Sequence, residues 1–429
     1  ARALMIAATM AETLSFSHEL FSPAGRANPY PIYARMRREQ PLYRFLSPNS
    51  NAPVWIATRY DDCVSLLRDT RLFKDDARLT PAQREQFAAQ IGTETSVNRH
   101  LLRMDAPDHA RVRGLVQKAF SSQMVDALRP RIAEIIDELL AGVERAGGMD
   151  LIADFAVPLP VTVIAEMLGI PRDDRPRFRH WSQILVATPN TPEGIGHKYA
   201  ALGEFAAYLQ ALVATRRGDP QTDLVSGLLA AREPQDDRPE GTPEGTIDER
   251  ELLSTLFLLL IAGHETTVNL IGNGMLALLT HPEQRRRLLE EPSLMPPAIE
   301  EMLRFDGPVD LTTVRWSAAE IEIRDTRIPP GEIVLMSLLA ADRDPEQFPD
   351  PDTFDVVRAP NRHIAFGFGS HYCLGAHLAR MEGAMAISAL LERLPDLALA
   401  TAVDTLSWTG GVVVHGLTAM PVQLSPRAR

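Results

Sequence analysis

Hydrophobic and polar positions along most of this chain follow a helical rhythm. Residues 29–38, 60–68, 124–144, 158–168, 175–186, 199–217 and 223–232 read as helices separated by short polar breaks. On the helix at 60–68, Val64 and Leu67 share a face, which gives Cys63 a plain role as core filler. The longest pattern starts at Thr246-Ile247-Asp248-Glu249, read as a capping box, and runs to Thr280, where His281-Pro282 ends it. At 1.5 Å per residue such a helix reaches ~50 Å. Between residues 252 and 262 it is apolar on nearly every side, so it must be a buried rod.

Strand patterns are few. Residues 42–44 and 54–57 predict a hairpin whose loop holds Pro48, Asn49 and Pro53. Residues 319–324 alternate polar with apolar, and 333–336 follow a Pro329-Pro330-Gly331 turn, which predicts a second hairpin. The tail at 408–424 reads as strands around Gly410-Gly411. From 74 to 103 no clean period persists, 188–198 reads as a loop, and 233–245, rich in Pro, Gly, Asp and Glu, reads as a surface loop. The fold class expected is mainly α with a small β-rich lobe, as a single domain over residues 1–429.

Composition narrows the function. The 44 basic and 56 acidic residues leave a net charge of −12, which argues against nucleic acid as a partner. Two cysteines fit a reducing cytoplasm, and a cytoplasmic monomer is expected. The apolar run at 252–263 is too short to span a membrane, and the apolar stretch at 4–10 is read as a frayed end rather than a signal.

Chemistry concentrates in two places. The first is Phe366-Gly367-Phe368-Gly369-Ser370-His371-Tyr372-Cys373-Leu374-Gly375, which runs into residues that read as a helix from 376 to 391. Glycines at 367 and 369 permit a tight loop with positive torsions, and a helix starting at Cys373 would aim free amides and its positive dipole end at the sulfur. Cys373 is thus either a metal-binding thiolate or a buried small hydrophobe, and its spacing to Gly367, Gly369 and His371 favours the thiolate. A structural zinc site is not expected, since Cys63 is the single other thiol. The second place is Ala262-Gly263-His264-Glu265-Thr266-Thr267 in the buried rod. Threonine hydroxyls can bond to carbonyls four residues back, loosening the helix, and Gly263 would leave room for a small ligand. A kinked core helix is the equal alternative on spacing alone.

The cysteine segment resembles the haem-ligand loop of the cytochrome P-450 superfamily, the haem-thiolate monooxygenases, at every position of the pattern Phe-Gly-x-Gly-x-His-x-Cys-x-Gly. The family motif Ala/Gly-Gly-x-Asp/Glu-Thr is matched at residues 262–266. The resemblance implies haem b with Cys373 as axial metal ligand, lined by Phe366, Gly367, Gly369, Ala262 and Gly263. It implies Glu265 as the proton entry point and Thr266 as the alcohol that orders water. His109 and Arg113, four apart on a helix that Asp105 could cap, with Arg315 and His371, are the implied propionate partners. Glu301-x-x-Arg304 with Arg358 is expected to form a network fixing the cysteine loop. Leu259, Val309, Leu311 and Val412 are candidate substrate contacts, all apolar.

The activity implied is insertion of one atom of dioxygen into a hydrophobic small molecule such as a polyketide, macrolide, terpenoid or steroid. Electrons would come from a ferredoxin and ferredoxin reductase, which the basic residues Arg103, Arg111 and Lys118 suggest as an acidic docking partner. A peroxygenase or isomerase on the same scaffold, and a non-enzymatic haem gas sensor, are the alternatives.

Overall fold

The computed structural model describes residues 16–48, 50–87, 99–186, 191–231 and 245–424. The expected features at 4–10 and at 233–244 lie outside them. The described chain divides into two compact units, one drawn from within 1–93, 269–373 and 391–429, the other from within 94–268 and 374–390. The fold is mostly helical with small sheets, as the sequence pattern predicts.

The first unit is built on a five-stranded sheet in the order Leu42–Leu46, Pro53–Ala57, Ile333–Met336, Arg315–Ser317, Leu72–Phe73. Its two central strands pair in parallel, with Val54 opposite Ile333 and Ala57 opposite Met336. Both read as unbroken apolar runs because both faces of the sheet are covered. Val54, Ile56 and Ile333 enter one cluster with Tyr33, Tyr43 and Trp316. Trp55, Ala57, Val334 and Met336 enter another with Cys63, Leu66 and Ile364. The twofold side-chain period thus sorts successive residues into different cores. The hairpin predicted at 42–57 forms, with Tyr43 opposite Ile56. The second one does not: Ile321–Ile323 pairs with Thr326–Ile328 instead, turning at Arg324, whose φ is +52°. Ile333–Met336 is drawn into the large sheet, where its backbone finds partners on both sides.

The second unit is helical. The pattern at 124–144 resolves into two helices, Ser122–Ala127 and Arg129–Ala146, and the helix predicted from 199 begins earlier, as Pro192–Gly218 with Thr191 as its cap. The long helix spans Glu249–Thr280 and contributes residues to both units. Its cap is not Thr246. Asp248 Oδ1 accepts from the Glu251 amide at 2.7 Å and Glu251 Oε2 accepts from the Asp248 amide at 3.1 Å, a capping box set two residues further on. Length and mean hydropathy would let this helix cross a membrane, but 56% of its most apolar window is buried inside the protein. It is a core helix.

Candidate active site

The cysteine loop is fixed from below by buried charge. Glu301 and Arg304 share the helix Met295–Phe305, and both side chains are fully buried. Arg304 donates to both Glu301 oxygens at 2.7 and 2.8 Å, and Arg358 Nε donates to Oε1 at 3.1 Å. The expected network therefore forms. It reaches further than the motif suggests. The Asp355 amide and Asn361 Nδ2 also donate to Glu301, and Arg304 donates to the carbonyls of Asp342, Pro351 and Thr353. Three residues on, the Ile364 amide donates to Asp342 Oδ1 at 2.7 Å. Burial raises the Asp342 pKa to about 7, with His363 opposing the shift.

From Ile364 the chain enters the loop. The Gly367 amide donates to Ile364 O at 2.7 Å and the Cys373 amide to Phe366 O at 2.9 Å. Gly367 and Gly369 have φ of +72° and +76°, the torsions the sequence predicts. Gly369 serves a second end, since a Cβ there would stand 3.2 Å from Leu67 O. Arg68 lies over the Phe368 ring at 4.3 Å, so the loop is clamped to the end of helix Tyr60–Arg68. The helix after the cysteine runs Ala376–Arg393, so it starts three residues past Cys373 rather than at it.

The two cysteines are opposites. Cys63 is buried and its thiol is pushed well up by that burial, while Cys373 is exposed. Among the described residues no group of three or more His, Cys, Asp or Glu could hold a metal ion. A single thiolate at Cys373 is the donor an iron takes when a porphyrin supplies its other ligands. The donor set fits haem.

Between residues 257 and 266 the long helix is incompletely covered, with Phe257, Leu258 and Ile261 half-buried. Ala262 is exposed and Leu259, Gly263, Glu265 and Thr266 are half-buried, while Leu252 to Leu256, Leu260 and His264 are buried. Thr266 Oγ1 donates to Ala262 O at 2.9 Å and Thr267 Oγ1 to Gly263 O at 3.2 Å, as expected. The helix nevertheless stays α-helical from end to end, so the opening is an uncovered face rather than a break. Gly263 has a packing role besides the expected one: a Cβ there would meet Ile164 Cδ1 at 2.8 Å, so this glycine admits the close approach of helix Pro158–Met167.

Burial raises the Glu265 pKa, with Lys198 opposing, and burial lowers that of Lys198, with Glu265 opposing. His264 holds the adjoining turn. Its Nδ1 lies 2.7 Å from Leu260 O and must donate there, which leaves Nε2 to accept from Ser182 Oγ at 3.1 Å. Nothing local in the sequence marks Ser182 or Ile164, since both act across helices far apart in the chain.

The remaining expected residues lie where each unit carries them. His109 is buried and Arg113 half-buried on helix Asp108–Ala119, whose N-cap is Pro107 rather than Asp105, and the Asp105 carbonyl accepts from the His109 amide at 2.9 Å. Arg315 is buried in its strand and His371 is half-buried in the turn Gly369–His371. Val309 is half-buried and bridges Val414, and Val412 is 47% exposed. Leu311 is corrected as a substrate contact, because it is 1% exposed and packed in the core with Tyr33 and Trp316. Arg111 is corrected as a docking cation. It is paired with the buried Glu251 and donates to Thr246 O at 3.0 Å, so its charge is engaged inside the protein.

Residues 177–395 match the family described as Cytochrome P450. The chain is 43% identical over 411 residues to the vitamin D(3) 25-hydroxylase of Pseudonocardia autotrophica, covering 96% of this chain and 97% of that protein. It is 38% identical over 402 residues to the 6-deoxyerythronolide B hydroxylase of Saccharopolyspora erythraea, covering 92% of this chain and 96% of that one. Among solved structures, the myxobacterial cytochrome P450 CYP267B1 in complex with myristic acid matches with a TM-score of 0.87 and 49% identity, over 95% of this chain and 99% of that chain. An exposed thiol on a glycine-shaped loop, an acid and alcohol on an open helix face, and kinship over nearly the whole length lead to one conclusion: the chain belongs to the cytochrome P450 family and is a haem-iron monooxygenase.

Proposed function

We propose that the whole chain works as one monooxygenase domain that holds haem b through Cys373 and hydroxylates or epoxidises an apolar small molecule of the polyketide, macrolide, terpenoid or steroid kind. The observation that carries the substrate class is the open face of the long helix, where the apolar Leu259 and Ala262 precede the Thr266 hydroxyl. Val309 and Val412 add apolar surface to the proposed contacts. Relatives that hydroxylate vitamin D(3) and 6-deoxyerythronolide B, and a neighbour that binds myristic acid, support this class.

Haem iron, when bound, supplies the activation of dioxygen. The protein's own groups do the rest. Cys373 offers an electron-rich sulfur, and His109, Arg113, Arg315 and His371 are proposed to meet the two propionates with charge-assisted hydrogen bonds. Burial disfavours the ionised form of Glu265, so its carboxyl holds a proton more readily than an ordinary exposed carboxylate does. Thr266 has spent its own proton on Ala262 O, so its oxygen presents lone pairs that accept from a water or other donor. To hand a proton onward it must let go of that carbonyl. Electrons are proposed to arrive from a ferredoxin and its reductase, with Arg103 and Lys118 among the docking residues.

The test is a screen of the purified holoprotein for compounds that shift the haem Soret band toward high spin, followed by turnover with ferredoxin and reductase. Turnover needing both proteins supports the proposal, and equal turnover with peroxide alone would replace it by a peroxygenase. Cys373→Ser should abolish the red-shifted carbon monoxide band of a thiolate-ligated iron while leaving the fold intact. Survival of that band would place the iron on another residue.

A further inference from the structure

The loop carrying Val412 is held from behind by a residue near the other end of the chain. Arg26 lies on the short helix Pro23–Ala27 and is 5% exposed. Its Nη1 donates to Asp310 Oδ2 at 3.0 Å, and its Nη2 donates to both Gly411 O and Val414 O, the latter at 3.0 Å. Asp310 is itself fully buried and accepts from Tyr33 and Ser337 hydroxyls at 2.6 and 3.1 Å. Its amide donates to Val413 O at 2.8 Å. Two carbonyls of the stretch 411–414 therefore accept from Arg26 and a third from the backbone amide of Asp310, and Val412 is left at 47% exposure. The position of Arg26 is set in turn by Gly25, where a Cβ would fall 2.0 Å from Glu19 O, so the helix can sit there only with glycine before the arginine.

We infer that Arg26 and Asp310 are positioning residues for substrate selection: they set the curvature of the loop 411–414, and so how far Val412 reaches toward a bound molecule. The inference rests on the reading that Val309 and Val412 touch substrate. The guanidinium fork is what the geometry uses, since one planar group joins a carboxylate to two carbonyls at once. A lysine keeps the charge opposite Asp310 but is a point donor, so Arg26→Lys should keep the fold and release the loop.

The experiment uses the holoprotein and imidazole with its 1-alkyl derivatives from butyl to dodecyl, titrated by the Soret shift of azole ligation. The azole anchors every probe alike, and the tail samples the apolar contacts. In Arg26→Lys, imidazole itself should bind unchanged while the long-tailed probes change affinity by about three- to tenfold. Val412→Ala should change the same probes, and the double variant should be non-additive. If Val412→Ala alters nothing, the substrate-contact reading falls, and this inference with it. If Val412→Ala alters the long tails but Arg26→Lys does not, the inference alone is overturned. Arg26→Met strands the buried Asp310 and is expected to unfold more easily; should it fail to fold, Arg26→Lys decides.

Discussion

Glu301, beneath the cysteine loop, and Glu265, on the long helix, are the same residue in opposite surroundings. Glu301 is fully buried and accepts five hydrogen bonds, from Arg304 Nε and Nη2, Arg358 Nε, Asn361 Nδ2 and the Asp355 amide. Glu265 is half-buried, with the charge of Lys198 set against the burial that raises its pKa. The difference teaches what each region is for. A carboxylate ringed by donors is a fixed charge that locks backbone in place, whereas one short of donors can take up and release a proton. A third acid extends the comparison. Glu382, on helix Ala376–Arg393, is buried with neither oxygen hydrogen-bonded, and burial raises its pKa to about 8.

The contrast can be broken most forcefully at its fixed end. Arg304→Met would take two of five donors from the buried Glu301 and remove the Arg304 bonds to the carbonyls of Asp342 and Pro351, and should cost about 3–5 kcal/mol of stability. Thermal melting together with haem retention checks this; an unshifted melting point would mean the network is ornamental. Next comes Glu382. Its folded pKa of about 8 exceeds the ordinary 4.5, so its contribution to stability is complete below pH 4.5 and is lost as pH rises through 8. The loss should amount to a few kcal/mol of order of magnitude, and in Glu382→Gln this part of the pH dependence of melting between pH 5 and 9 should vanish.

At the mobile end the effect is kinetic. Glu265→Gln keeps the shape of the side chain and removes its titration, so product formation should fall by about 10²-fold with melting point and substrate affinity unchanged. An equal rate would take Glu265 out of proton delivery. The smallest effect is expected at Gly263→Ala, where the added methyl meets only the flexible tip of Ile164. A loss of about 1 kcal/mol is predicted, relieved by Ile164→Val in the same chain. If instead Gly263→Ala left stability alone and blocked carbon monoxide binding, the glycine would be reserving ligand space after all.

Legibility in the sequence followed range. The glycine torsions of the cysteine loop, the threonine bonds to carbonyls four residues back and the Glu301–Arg304 pair all involve neighbours within a few residues, and each forms as the pattern predicts. The failures are of another kind. The basic side chain of Arg111 looked free for docking until Glu251, far along the chain, was folded against it. Leu311 looked like a wall of the substrate site because an apolar residue carries no mark of which side it faces. Ile333–Met336 pairs in the large sheet rather than with the strand before it, because a strand's sequence states that it needs hydrogen bonds, not whose.

Sequence by itself thus determined the local features: the tight glycine torsions around Cys373, the adjacent acid and alcohol at Glu265 and Thr266, and the long helix that bears them. These follow from local torsions and from periods of two and 3.6 residues, which any stretch of chain carries within itself. Only the tertiary structure decided how that chemistry is held: that Asp342 anchors Ile364, that Ile164 demands Gly263, and that Arg26 braces Gly411 and Val414. Such contacts join segments whose separation along the chain leaves no local trace, and their energy appears only when burial removes the water that either partner would otherwise have used.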